Sequence, residues 1–289
     1  MPVRVWQALA GLIGLLLVAV VGLDQWQVRR GEASLFGLSW PTRRSPSPPT
    51  TGGEPARLTV APQSAARAPG GSRVAVIVDQ IGTRRDVFES LRDLRRPLTL
   101  AMLPLPPAAS IAREALRNGM EVVLDLPMEP YRYPQLDPGP GALLMSMSDD
   151  EIRRLVIRHL DGLPGVVGVT NHMGSRLTED RARMRAVVDV LAARRLFLVD
   201  AYASNLSVAY DEAKRVGLRA ARRQSVVDPA RGEAGERASW DEVAGWADRR
   251  GEVIVLAPGQ PLTVRLLREY ISRWEARGLR LVPVSELVR

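Results

Sequence analysis

Cysteine is absent from the sequence. That excludes disulfides, thiolate nucleophiles and cysteine-ligated zinc, although it identifies no compartment, since many exported proteins also lack cysteine. Lysine is almost absent: Lys214 is the only one, so nearly all the charge behind the formal net value of +8 is arginine. Such a charge suits anionic partners such as nucleic acid, lipid head groups or acidic cell-wall polymers. The arginines are scattered rather than run together, however, and select none of these. Histidine is limited to His159 and His172. No internal repeat is visible, and no Gly-x-Gly-x-x-Gly or Walker-type loop stands at a strand-to-helix junction, so nucleotide binding has no support.

Residues 8 to 23 form an uncharged, almost wholly apolar run, with Arg4 before it and Trp6 and Trp26 near its ends. The run is slightly shorter than the ~20 residues that span a bilayer, and interfacial tryptophans can complete the span. A cleavable signal peptide is the competing reading. The stretch from Val20 to Trp26 offers no small-x-small cleavage site, which favours an uncleaved anchor. Residues 41 to 72 contain Pro41, Pro46, Pro48, Pro49, Pro55, Pro62 and Pro69 among serine, threonine, glycine and alanine. That composition buries too little apolar surface to offset the entropy of ordering it. The expected organisation is an anchor or signal segment at 1–30, a Pro/Ser/Gly-rich linker at 31–72 and a folded unit at 73–289. The expected location is the inner membrane, with a single N-terminal pass and the domain in the periplasm, or the periplasm itself after cleavage.

From Arg73 onward short apolar runs alternate with helical patterns, the signature of βα units and a mainly parallel sheet. Strands are expected near residues 74–78, 98–102, 121–126, 166–170, 196–199, 253–256 and 281–284. Ser148 with Glu151 forms a capping box ahead of Ile152, Leu155, Val156 and Leu160 at helical spacing. Met184, Val187, Val188 and Leu191 line one face of a second helix. Asn118-Gly119 and Arg250-Gly251 read as helix stops. About seven strands with right-handed helical crossovers suggest an α/β barrel, with an open doubly wound sheet as the alternative.

In such folds ligands gather where strands end, because the loops there vary while the strands fix the geometry beneath. The stretch 165 to 178 draws attention first: Val166, Val167 and Val169 lead into Asn171, His172, Met173, Gly174 and Ser175. The other strand ends supply Asp79-Gln80, Asp125 with Met128 and Glu129, then Asp200, and beyond it Arg223 and Asp228. Each residue also has a structural explanation. Asp79 could cap a helix, Asp125 and Glu129 could pair with arginines, Asp200 could order a turn, and Asn171-His172 could satisfy its own backbone. His159, in a helix, reads as a surface or half-buried residue. Several carboxylates converging on His172 would make an acid/base or metal site. Asp79, His172, Asp200, Arg223 and Asp228 are therefore the catalytic candidates, and Met128, Glu129, Asn171 and Ser175 the substrate-binding ones.

These residues carry a resemblance. Leu-Pro-Met-Glu-Pro at 126–130, the Pro-Gly-Pro-Gly-Ala-Leu loop at 138–143 and Asn-His-Met-Gly-Ser-Arg with Thr178 at 171–178 resemble the divergent polysaccharide deacetylase family, distant relatives of NodB-type carbohydrate esterases. Ser207 with Ala213, Arg223 with Asp228, and Val282-Pro-Val-Ser285 support it over residues 73–289. The resemblance implies a distorted seven-stranded (β/α) barrel and hydrolysis of N-acetyl or related acyl groups on a glycan. It also implies a divalent metal, usually zinc, that acidifies bound water and polarises the acyl carbonyl. Several family positions are altered here. An Asp-Asp pair becomes Asp79-Gln80, a histidine becomes Asp125, a Gly-His element becomes Ala257-Pro258, and positions 201 and 224 hold Ala201 and Gln224. The usual Asp-His-His set is thus not assembled, leaving a remodelled Asp79, Asp125 and His172 site or no metal at all. Two functions follow: an anchored envelope hydrolase of N-acetyl or O-acyl groups with weakened or lost activity, or a non-catalytic module binding envelope glycan or peptidoglycan. Nucleic acid is not expected as a partner.

Overall fold

The computed structural model describes residues 71–289. The expected anchor and nearly all of the expected linker lie outside these residues. Among the described residues no helix is long and apolar enough to cross a membrane.

Nine strands form one sheet: β1 (Arg73–Asp79), β2 (Thr99–Met102), β3 (Glu121–Met128), β4 (Gly168–Met173), β5 (Phe197–Asp200), β6 (Ala220–Arg222), β7 (Ser225–Val226), β8 (Glu252–Pro258) and β9 (Arg280–Leu281). Among the described residues seven α-helices accompany them: α1 (Arg85–Arg92), α2 (Ala108–Arg117), α3 (Asp149–Gly162), α4 (Arg181–Ala193), α5 (Ala209–Arg215), α6 (Gly232–Arg250) and α7 (Pro261–Ala276). Every strand pair is parallel, in the order β6-β5-β4-β3-β2-β1-β8-β7, with β9 pairing β1 off this path. The sheet is thus a curled α/β barrel sheet. The expected capping box forms at the start of α3, where Ser148 and Glu151 exchange hydrogen bonds with each other's backbone.

The count of seven strands is corrected: the path has eight, six of the expected strands lie on it, and the seventh corresponds to β9 beside β1. The difference lies in residues 220–226, too short and too polar to register as an apolar run. Ala220–Arg222 pair with β5, Ser225–Val226 pair with β8, and Arg223-Gln224 form the break between them. Gln224 holds that break to β8: its backbone N–H donates to Ile254 O at 2.9 Å, and its Oε1 accepts from Ile254 N–H at 2.7 Å. Because β6 and β7 are consecutive in the chain, the two ends of the path meet covalently. The last expected strand shrinks to Arg280–Leu281, after which a 3-10 turn, Val284–Glu286, seals the amino end of the barrel. There Thr99 Oγ1 accepts from Val284 N–H and donates to Glu121, whose Oε1 also accepts from Ser285 N–H.

Strand alternation divides the apolar residues into two layers. Val74, Val76, Val78, Leu124, Leu126, Met128 and Val169 face the helices; Ala75, Ile77, Ala101, Val123, Phe197, Val199 and Ile254 fill the interior with Val282, Val284 and Leu287. The interior is narrow enough for one glycine to matter. A Cβ at Gly168 would lie 2.2 Å from Cε2 of Phe197, a fully buried ring. Gly168→Ala is therefore expected to destabilise the domain by about 2–3 kcal/mol through overpacking, read as a lower urea midpoint at unchanged m-value.

Candidate functional site

The same alternation selects which strand-end residues meet. Asp79 continues the inward series Ala75, Ile77 on β1; Asp125 follows Val123 on β3; His172 lies two residues beyond Thr170, the register partner of Asp125 on β4. These three side chains converge inside the carboxyl end of the barrel. His172 Nδ1 lies 3.5 Å from Asp125 Oδ2, and that buried oxygen has no hydrogen-bond partner. Burial, reinforced by the charge of Asp125, pushes the Asp79 carboxyl up to about 8, against the opposing effects of His172 and a hydrogen bond from Gln80. Burial likewise pushes Asp125 up to about 7, opposed by a hydrogen bond from the Gln80 backbone. His172 is pushed below the usual imidazole range by burial, with Asp79 opposing. Near neutrality the pair of carboxyls therefore carries less than its full charge, beside an imidazole held mainly neutral.

Asp79 does not cap the turn that follows. Gln80 occupies that position with a left-handed backbone (φ 58°), and its Nε2 donates to Asp79 Oδ1 at 3.3 Å. Asp125 pairs with no arginine among the described residues; the His172 imidazole is its neighbour. Thr170, which sequence reasoning passed over, places a buried and unpartnered Oγ1 in the interior layer beneath the cluster. No signal marks it in the sequence, where it is one more β-branched strand residue.

The remaining candidates are drawn into loop support. Asn171 bridges two strand ends, its Oδ1 accepting from Ala201 N–H and its Nδ2 donating to Met173 O, both at 2.8 Å. Asp200 accepts from Tyr202 N–H at 2.8 Å and Ser207 Oγ at 2.9 Å, so it does order its turn. Arg223 donates to the carbonyls of Ala201 and Tyr202; burial lowers its pKa while Asp200 opposes the shift. Glu129 takes Met145 N–H and the Arg176 guanidinium, each at 2.8 Å, and ties the loop after β3 to the one after β4. Ser175 Oγ accepts from Tyr131 N–H. Met128 is fully buried against Gly174. Asp228 caps a 3-10 turn through Ala230 N–H at 2.9 Å. His159 is buried rather than at the surface. Its Nε2 lies 2.8 Å from Gly141 O, fastening the Pro-Gly-Pro-Gly loop to α3.

The residues present do not fit a zinc centre. Among the described residues no three His, Asp or Glu side chains form a group able to hold a metal. Asp125 and His172 provide two donors, and Asp79, which burial keeps protonated up to about 8, does not complete the remodelled set of three with them; Gln80 presents a neutral amide engaged with Asp79, a poor zinc ligand. Ala257 has no donor and lies in the helix-facing layer, pointing away from the cluster.

A curled parallel sheet with helices on its outer face and a buried acid–imidazole cluster at the strands' carboxyl ends defines a (β/α)-barrel protein. The model of the divergent polysaccharide deacetylase family matches residues 76–288, and the chain belongs to that family. It is similar to the uncharacterized protein YibQ of Escherichia coli K12, 28% identical over 200 residues, which covers 69% of this chain and 62% of that one. The match thus spans less than two thirds of that relative. An uncharacterized protein of Haemophilus influenzae is 25% identical over 198 residues, covering 68% of this chain and 70% of its own. The crystal structure of an uncharacterized protein from Agrobacterium tumefaciens C58 superposes with a TM-score of 0.72 at 26% identity, covering 78% of this chain and 92% of that one.

Proposed function

We propose that this protein serves envelope glycan metabolism from the membrane. Residues 8 to 23 anchor it in the inner membrane, the proline-rich segment acts as a tether, and the carboxyl end of the barrel receives an acylated sugar in the periplasm. The family assignment supports a polysaccharide as ligand class. The state of the cluster supports a further step: recognition is retained, while zinc-dependent removal of N-acetyl or O-acyl groups is lost or greatly reduced. One observation carries this. Asp125, where the family has histidine, directs an unpartnered carboxylate oxygen at His172, while the neighbouring Gln80 amide is occupied with Asp79.

Calorimetry and acetate release on N-acetylated oligosaccharides and peptidoglycan fragments test the proposal together. The expected result is saturable glycan binding with no rise in acetate release when zinc is added. Zinc-stimulated release would overturn the loss of hydrolysis, and absence of binding to any acylated glycan would overturn recognition. The imidazole favours one second reading. Burial keeps His172 in its basic form beside Asp125, as a metal-independent general base requires. That reaction would appear as slow acetate release, indifferent to chelator and abolished in His172→Ala.

A further inference from the structure

Because all strand pairs are parallel, every helix-to-strand turn lies at the amino end of the barrel, opposite the candidate site. Arginines scattered along the sequence are gathered there. The turns at residues 93–98, 194–196, 216–219 and 277–279 carry arginine, and the helices before Gly119 and Gly251 end in Arg117 and in Arg249-Arg250. The acids at this end are paired with arginine, Asp93 with Arg92, Asp161 with Arg194, Asp248 with Arg277, Glu275 with Arg96, Glu286 with Arg280, and Glu252 with Arg73 and Arg289, except Glu121, which bonds Thr99 and Ser285. Arg95, Arg117, Arg195, Arg219, Arg249 and Arg250 remain, all exposed and without an acidic partner among the described residues. At the opposite end exposed Arg132 and Arg231 are balanced by Asp137, Asp180 and Asp228, whereas Arg113, Arg154, Arg158 and Arg268, also exposed and without an acidic partner among the described residues, are dispersed over the helix flanks.

Helix C-termini attract cations through the backbone dipole, which accounts for Arg117, Arg249 and Arg250. Arg249 and Arg250 also lie over the Trp246 ring and Arg219 over that of Phe197, which leaves Arg95 and Arg195. Arg95 and Arg195 adopt left-handed backbones, φ 51° and 56°, just beyond their helices, where Gly119, Gly217, Gly251 and Gly278 serve the equivalent turns. Glycine adopts that conformation without strain and arginine does not. Turn geometry therefore favours glycine at these two positions, and the chain places a free guanidinium at each.

We infer that this arginine face lies against an anionic lipid bilayer, holding the barrel with its candidate site directed away from the membrane. Lipid is the anion chosen because the segment preceding Arg73 joins the barrel at this same end, and its sequence leads back to the apolar run at 8 to 23. That choice rests on the anchored reading given above; the face itself does not. Guanidinium groups pair with lipid phosphates in bidentate fashion, and the attraction fades within a Debye length, so contact is sensitive to salt.

The absence of cysteine permits a direct test with the full chain. A fluorophore is placed on Val216→Cys in an amino-end turn or on Leu206→Cys at the opposite end, both exposed positions. The labelled chains are reconstituted in vesicles of brominated phosphatidylcholine with or without about one third phosphatidylglycerol. The expected result is quenching at position 216 but not at 206, only with phosphatidylglycerol present. It should be lost in 0.5 M salt and reduced roughly tenfold or more when the six arginines without an acidic partner are changed together to glutamine, with the circular dichroism unchanged. Equal quenching at both positions, persistence in the six-glutamine variant, or preference for soluble polyphosphate over anionic vesicles would overturn it. Failure of the chain to float with neutral vesicles removes the anchor reading alone, because arginine-dependent association with anionic vesicles is then still measurable.

Discussion

Folding stability is expected to fall by about 3 kcal/mol as pH rises from 6.5 to 9, at about 1.4 kcal/mol per pKa unit, and Asp79→Asn should remove most of that fall. Asp79 and Asp125 retain protons in the folded protein up to about 8 and about 7, whereas unfolded carboxyls of this kind release them near 3.8. Protonation therefore favours the folded state. The stabilisation is fully present below about pH 4 and disappears as pH passes through the folded values. His172 and His159, whose pKa values burial lowers from 6.5, act in the opposite sense below that pH, so the alkaline window reports the carboxyls most cleanly. Asparagine at 79 removes the group that titrates at about 8 and leaves Asp125 alone. Its Asp125→Asn counterpart should reduce the fall by less, because burial, the larger cause of the Asp79 shift, remains. Urea denaturation at half-unit pH intervals measures all three proteins; a wild-type profile level from pH 6.5 to 9 would mean that the carboxyls are not coupled to folding. A loss of this size is a large fraction of the ~5–15 kcal/mol that holds a domain together.

Gln80→Asp combined with Asp125→His is expected to create a zinc site with at least ~100-fold higher affinity than the natural chain. Asp125 Oδ2 already lies 3.5 Å from His172 Nδ1. Two donors bonded to zinc at 2.0–2.1 Å in tetrahedral geometry are about 3.3 Å apart, so an imidazole at 125 can share a metal with His172 after only a small adjustment. Aspartate at 80 would add an anionic third donor in place of the amide. Removing the buried carboxylate at 125 also eases ionisation of Asp79, leaving it free to act as a base. Adding Ala257→His should contribute nothing, because position 257 faces the helices. Zinc stoichiometry by plasma mass spectrometry and chelator competition provide the measurements. A folded double variant that binds no more zinc than the natural chain would place the obstacle in groove shape rather than in ligand identity.

Much of the fold was legible because it rests on local pattern. The alternation of apolar runs with helical periods marked the βα units, and Ser148 with Glu151 fixed the start of α3. The split strand at residues 220–226 was not legible, since three- and two-residue ladders leave no periodic trace and exist only because β5 and β8 lie on either side. The cluster was half legible. Asp79, Asp125 and His172 stood out as strand-end residues, and their alternation brought them together. Asn171, Asp200 and Glu129 looked equally chemical in the sequence, yet they spend their side chains on neighbouring loops. Thr170 and the buried role of His159 were invisible, because both depend on what another strand or loop places beside them.

The sequence by itself determined the family, the chemistry available and the chemistry missing. A chain with no cysteine, two histidines and a neutral amide after Asp79 lacks the expected ligand set however it folds. Tertiary structure decided which donors face one another, that Ala257 looks away from the site, and that six dispersed arginines come to one end of the barrel. The physical reason is that residue identity is a local property. Facing is set by strand parity and register, and clustering by a parallel topology that carries every helix end to the same side of the barrel.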